Sequence, residues 1–172
     1  FPVGITVTAG LHLYRNKADN AYAFDISNGG VPARYEAGAT ELAMTYMDKS
    51  DLLLARGRLV SSTLKALGYD STASLALDGP ETHWQVVQRI DFYQTTIDLD
   101  IRNGATLEAQ GIDGATGNHE IWNDNLDGNP DRVQVLRVRG TGSSLIATNL
   151  PAEFKWKGNS RLEVLDGAAA TF

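Results

Sequence analysis

Apolar and polar residues alternate with period two from the start of the chain. Val3, Ile5, Val7, Ala9, Leu11 and Leu13 fall on one side, and Gly4, Thr6, Thr8, Gly10, His12 and Tyr14 on the other. Period two is the signature of a strand with one buried face. Tyr22, Phe24 and Ile26 repeat it, and Asn28-Gly29-Gly30 follows with residues that tolerate positive φ. From Trp84 the alternation runs through Val86, Ile90 and Phe92, then changes phase to Ile97, Leu99 and Ile101, which predicts a bulge or bend near Gln94. Further strands are expected at 132–139, 145–148, 153–157 and 161–165, with Gly, Asn and Pro between them. Phe154 and Trp156, flanked by Glu153, Lys155 and Lys157, predict an amphipathic strand with Trp156 inward.

One stretch departs from this pattern. Between residues 50 and 67, Leu53, Val60, Leu64 and Leu67 recur near helical spacing, behind Ser50 or Asp51 as N-cap and ahead of Gly68 as a stop. Lys65 in the last turn suits the helix dipole. One α-helix is therefore expected there, with Gly57 in its interior marking close packing against a sheet. Residues 42–47 suit either a strand or a helical turn. Asn103-Gly104 is a hairpin signal, and a two-residue loop would place Leu99 on the face of Glu108. A three-residue loop of Arg102, Asn103 and Gly104, with Gly104 left-handed, pairs Leu99 with Leu107 instead. Short strands with such punctuation, and no visible internal repeat, predict one mainly β domain over 1–172, an antiparallel sandwich or jelly roll.

Composition narrows the function classes. The 172 residues hold no Cys, so disulfides, thiolate metal sites and cysteine nucleophiles are excluded. No apolar run approaches the ~20 residues of a membrane helix. A net charge of −6 argues against nucleic acid as a partner. The charge is unevenly placed: nine acids face Arg102 alone between Asp91 and Asp131, whereas Arg132, Arg137, Arg139, Lys155, Lys157 and Arg161 then face only Glu153. Either acidic and basic strands neutralise each other within one sheet, or the two segments meet between subunits of a homo-oligomer, with Arg137 and Arg139 at the interface.

Oxygen side chains alternate through Asn123, Asn125 and Asp127, and Gly128 then permits a sharp turn before Asp131. The loop resembles the calcium loops of EF-hand-like and integrin-type repeats, and the resemblance implies Asn123, Asn125, Asp127 and Asp131 as Ca2+ ligands. It departs from that pattern where Asn123 replaces Asp and where Gln134 replaces the bidentate Glu. The alternative is a polar turn without a cofactor. Asp98, Asp100 and Glu108 are expected on one face, where they would hold a metal, act as acid and base, or form a solvated face with Arg89 or Arg102.

His12, His83 and His119 lack metal-pair spacing, and no nucleophile elbow or nucleotide-binding loop is present. Trp84 and Trp156 are expected in the core and Trp122 at the surface. A non-enzymatic assembly protein follows, read by fold analogy as a virion component such as a capsid, decoration or tail protein. The alternative is a secreted or cell-surface adhesive module, calcium-stabilised and carbohydrate-binding. Both imply a virion or extracellular location. A glycosidase with scattered carboxylates is the enzymatic competitor.

Overall fold

The computed structural model describes residues 11–13, 19–28, 30–42, 49–68, 70–93, 95–115, 133–147, 153–156 and 160–172. They form a parallel β-solenoid with no helix among them. The chain coils through successive rungs, each laying a strand on each of up to three faces. β1 (Leu11–Leu13) lies on face 3. The first full rung is β2 (Asp19–Asp25) on face 1, a small excursion made by β3 (Ser27–Asn28) and β4 (Val31–Pro32), β5 (Arg34–Glu36) on face 2 and β6 (Ala39–Leu42) on face 3. The second rung is the single strand β7 (Lys49–Ala66), which passes over all three faces. β8 (Ser71–Asp78) and β9 (Thr82–Tyr93) make the third. β10 (Thr95–Arg102), β11 (Thr106–Ala109) and β12 (Gly111–Ala115) make the fourth. β13 (Gln134–Arg139), β14 (Ser144–Ile146) and β15 (Glu153–Trp156) make the fifth, and β16 (Ser160–Leu165) and β17 (Ala169–Thr171) the sixth.

Register explains why these residues stack. On face 1 Tyr22, Leu52, Leu75, Leu99, Leu136 and Leu162 pair in one continuous ladder, and Phe24, Leu54, Leu77, Ile101, Val138 and Val164 in the next inward one. On face 2 Tyr35, Leu59, Trp84, Leu107, Leu145 and Ala170 do the same. Like side chains on like side chains bury the core as a column, and each rung needs its neighbours to cover it. Trp84 fills the centre with no exposed surface, and its indole N–H donates to the Ser61 hydroxyl at 2.8 Å.

The sandwich or jelly roll expected above is thus overturned: every ladder is parallel except the two-residue pairing of β3 with β4. At β2, β9 and β10 alternation does mark strands, while residues 3–10 lie outside the described residues. Period two reports a buried face and not the direction of the neighbour. A repeat is present after all. Leu52 to Leu75 is 23 positions and Leu75 to Leu99 is 24, but Leu99 to Leu136 is 37, so an insertion breaks the period.

The helix expected over 50–67 is strand β7. Ser50, Leu52 and Leu54 point inward on face 1, Leu59 and Ser61 on face 2, Leu64 and Ala66 on face 3. The phase changes at the corner by Gly57 and at the register shift between Ser61 and Thr63, and these two shifts mimic helical spacing. Gly57 does pack closely, beneath the corner of the first rung, where Ala33 N–H bonds the Ile26 carbonyl at 2.8 Å and closes off the β3–β4 excursion.

Asn103 and Gly104 are both left-handed, at φ 55° and 87°, and Ala105 N–H bonds the Arg102 carbonyl at 3.1 Å. The left-handed Gly104 agrees with the sequence; the bulged hairpin does not. The turn carries the chain from face 1 to face 2, so Leu99 pairs with Leu75 and Leu136 and never meets Leu107. Asp166-Gly167 makes the same corner two rungs on, at φ 55° and 77°.

Candidate functional site

The outer side of face 1 collects most of the chemistry that the sequence singled out. Outward positions stack as regularly as inward ones, so Asp78, Arg102 and Arg139 share one ladder, and Asp100, Arg137 and Glu163 the next. Neighbouring strands sit about 4.8 Å apart, within reach of long side chains. Arg139 grips Asp100 with both Nε (2.9 Å) and a terminal nitrogen (2.6 Å). Arg102 bridges Asp78 (Nε, 3.0 Å) and Asp100 (3.2 Å), while Asn103 donates to the other Asp78 oxygen at 2.7 Å. Arg137 joins Glu163 (2.8 Å) to Asp98 (3.1 Å), and Arg161 reaches Glu163 at 3.1 Å. Paired this way, the carboxylate of Asp100 is buried with only 8% of the residue exposed.

Arg137 and Arg139 are therefore engaged within the chain. Among the described residues Asp98 and Asp100 of the acidic segment pair with Arg137 and Arg139 of the basic one within one sheet, which is the local reading of the charge pattern. Asp98 and Asp100 stand together on this face, but Glu108 lies on face 2, paired with Gln85 and Ile146 and 3.4 Å from the His83 Nε2. The three-carboxylate cluster is not formed, because it depended on the hairpin. Arg102 does meet Asp100, whereas Arg89 bonds Asp91 at 2.7 Å on face 3. Asn123, Asn125, Asp127, Asp131 and Trp122 lie outside the described residues, as does the side chain of Trp156. Among the described residues no group of three metal-ligating side chains occurs.

No protein-family model, curated protein or solved structure matches the chain. The parallel solenoid overturns the sandwich and jelly roll and lends no support to the virion and capsid expectation. No helix among the described residues is long and apolar enough to cross a membrane.

The site's second feature is the sixth rung, which sequence reasoning missed. Among the described residues Val31, Val87, Val164, Leu165 and Phe172 are the large apolar residues with exposed side chains, and three of the five belong to this rung. Val164 continues the ladder of Val138, yet Val164 is 42% exposed and Val138 fully covered. No described strand pairs with the outer edges of β16 and β17. The inward alternation of Leu162 and Val164 was legible; that no described strand covers them needs the topology.

The ionic network sets an acid limit. The hydrogen bond from Arg137 holds the Glu163 carboxyl below its ordinary value. Burial works against the Asp78 charge, but the bonds from Asn103 and Arg102 outweigh it and its pKa is also lowered. Groups with a lowered folded pKa stabilise above their unfolded value and lose that contribution as pH falls through the folded one. His83 is lowered by desolvation and then by the Arg58 charge, against the pull of Glu108. The unfolded chain then takes up that proton first, so stability is also lost below the ordinary histidine value of 6.5. Melting temperature should fall in two stages on acidification, from about pH 6.5 and again below about pH 4.5. His83→Gln should remove the upper stage alone; an unchanged profile would show that His83 is not its source.

Proposed function

We propose that this chain is a non-enzymatic assembly module that associates end to end, the sixth rung of one copy taking the first rung of the next. The core-facing row at Leu162, Val164, Ala168 and Ala170, which no described strand covers, is the observation that supports this. An uncovered parallel edge is a template for another strand, and the strand that fits it must bring apolar residues at the same register. The first rung does so: Tyr22 and Phe24 occupy the ladders of Leu162 and Val164, and Tyr35 that of Ala170. Phe24 and Tyr35 are themselves only partly buried. Such a head-to-tail contact is heterologous and does not close on itself, so it builds chains of copies.

The contact is apolar at its centre, and Arg137 and Arg139 have no part in it. Reversing those arginines would break intrachain pairs and would not report on assembly. Sedimentation of the 172-residue chain over a hundredfold concentration range should show mass increasing beyond the monomer. Val164→Lys should remain folded by circular dichroism and sediment as a monomer. A wild-type chain that stays strictly monomeric, or a Val164→Lys chain that associates as well as wild type, would overturn the proposal.

A further inference from the structure

Face 1 carries a second surface, which shares Asp98, Asp100 and Arg102 with the ionic network and is independent of the sixth rung. The outward ladder that ends in Asp100, Arg137 and Glu163 begins with Ala23, Leu53 and Ala76. Beside it runs Asp51, Ser74 and Asp98. Small side chains in the middle and longer ones at the sides leave an axial groove of about 470 Å³ with an apolar floor. That volume and lining, apolar with a few placed polar groups, match a small-ligand cleft.

The polar groups decide what fits. Arg102 stands at the groove, but its guanidinium is committed to Asp78 and Asp100. Asp100 in turn is held by Arg102 and Arg139. Asp98 gives one oxygen to Arg137 and is 54% exposed. Asp51 is exposed, and no cation among the described residues pairs with it. The available charge is negative and concentrated on one wall, at two carboxylates two rungs apart, or about 9.6 Å between backbones. An anion is repelled there. A single metal ion is not bridged by carboxylates so far apart. An extended alkyl chain carrying ammonium groups satisfies both the wall and the floor.

We propose that this groove binds a linear aliphatic polyamine laid along the solenoid axis, with ammonium groups at Asp51 and Asp98 and methylenes against Ala23, Leu53 and Ala76. Binding is noncovalent, and its strength falls with salt because both carboxylates are accessible to solvent.

Calorimetric titration of the 172-residue chain at low ionic strength, with spermidine and with hexamethylenediamine, tests this. Saturable binding of one molecule per chain is expected, weakened at least tenfold by Asp51→Asn and abolished by Ser74→Arg, which places a cation between the two carboxylates. Both substitutions are on the outer side of the sheet, and circular dichroism checks that each variant is folded. Mg2+ at matched ionic strength should not displace the amine. The proposal is overturned if no saturable binding occurs, if Asp51→Asn binds as wild type does, if Mg2+ competes as well as the diamine, or if a neutral oligosaccharide binds the groove and the amines do not. Sedimentation in the same buffers separates this outcome from the assembly proposal, because Val164→Lys leaves the groove intact.

Discussion

Gly57→Ala should unfold the chain or lower its stability by more than about 4 kcal/mol, a loss outside the ordinary range for one substitution. Two effects combine. Gly57 is left-handed at φ 86°, which costs an L-residue about 1–2 kcal/mol. A Cβ there would also sit on the Ile26 carbonyl oxygen, 2.7 Å from the Ile26 Cβ and 2.9 Å from the Ala33 carbonyl. Those atoms belong to backbone locked by Ile26 N–H to Arg56 (2.9 Å) and Arg58 N–H to Ala33 (2.8 Å), so they cannot retreat without opening two rungs. Gly30 provides the control. Its φ is 82°, but a Cβ there meets only the mobile end of Arg56 at 4.0 Å. Gly30→Ala should therefore cost only about 1 kcal/mol. Chemical denaturation of both variants measures the difference. Equal losses would mean that conformation alone matters and that the corner is not tightly packed.

Trp84→Ala is expected to have the next largest effect, about 3–5 kcal/mol, or a fall of roughly 10 °C in melting temperature for a chain of this size. The indole is fully buried in the ladder between Leu59 and Leu107, and its removal leaves a cavity bounded by rungs on both sides. It also strands the Ser61 hydroxyl, which is 1% exposed and accepts the indole N–H. Trp84→Phe, which keeps most of the volume, should lose less than half as much. A Trp84→Ala loss under about 1 kcal/mol would show that the column collapses around the gap.

Strands were legible through the alternation over 84–101, but not at β7, whose corners mimic helical spacing, nor at β8, for which no strand was expected. Trp84, Val86, Ile90, Phe92, Ile97, Leu99 and Ile101 are all core residues, as their alternation implied. Direction and partner were not legible, because a parallel ladder links residues about one rung apart in sequence and nothing local records the link. The apparent hairpin at Asn103-Gly104 shows the difficulty. The dipeptide reports two left-handed residues correctly, but a solenoid corner and a hairpin ask for the same pair. Likewise the charge asymmetry around Arg137 and Arg139 was visible, and the choice between neighbours in one sheet and neighbours in two subunits rested on knowing that β13 lies between β10 and β16. The groove could not be seen at all, since Ala23, Leu53 and Ala76 become adjacent only through register.

The ladder architecture also governs how the molecule gains and loses order. Each rung touches only the one before and the one after, so cooperativity passes along the axis from neighbour to neighbour. In the third and fourth rungs Trp84, Phe92, Leu99 and Leu107 are buried, covered by a rung on both sides. Opening is easiest at the half-covered sixth rung. A lesion at a corner such as Gly57 separates the first rung from the rest of the column, whereas the same lesion in the sixth rung merely shortens it.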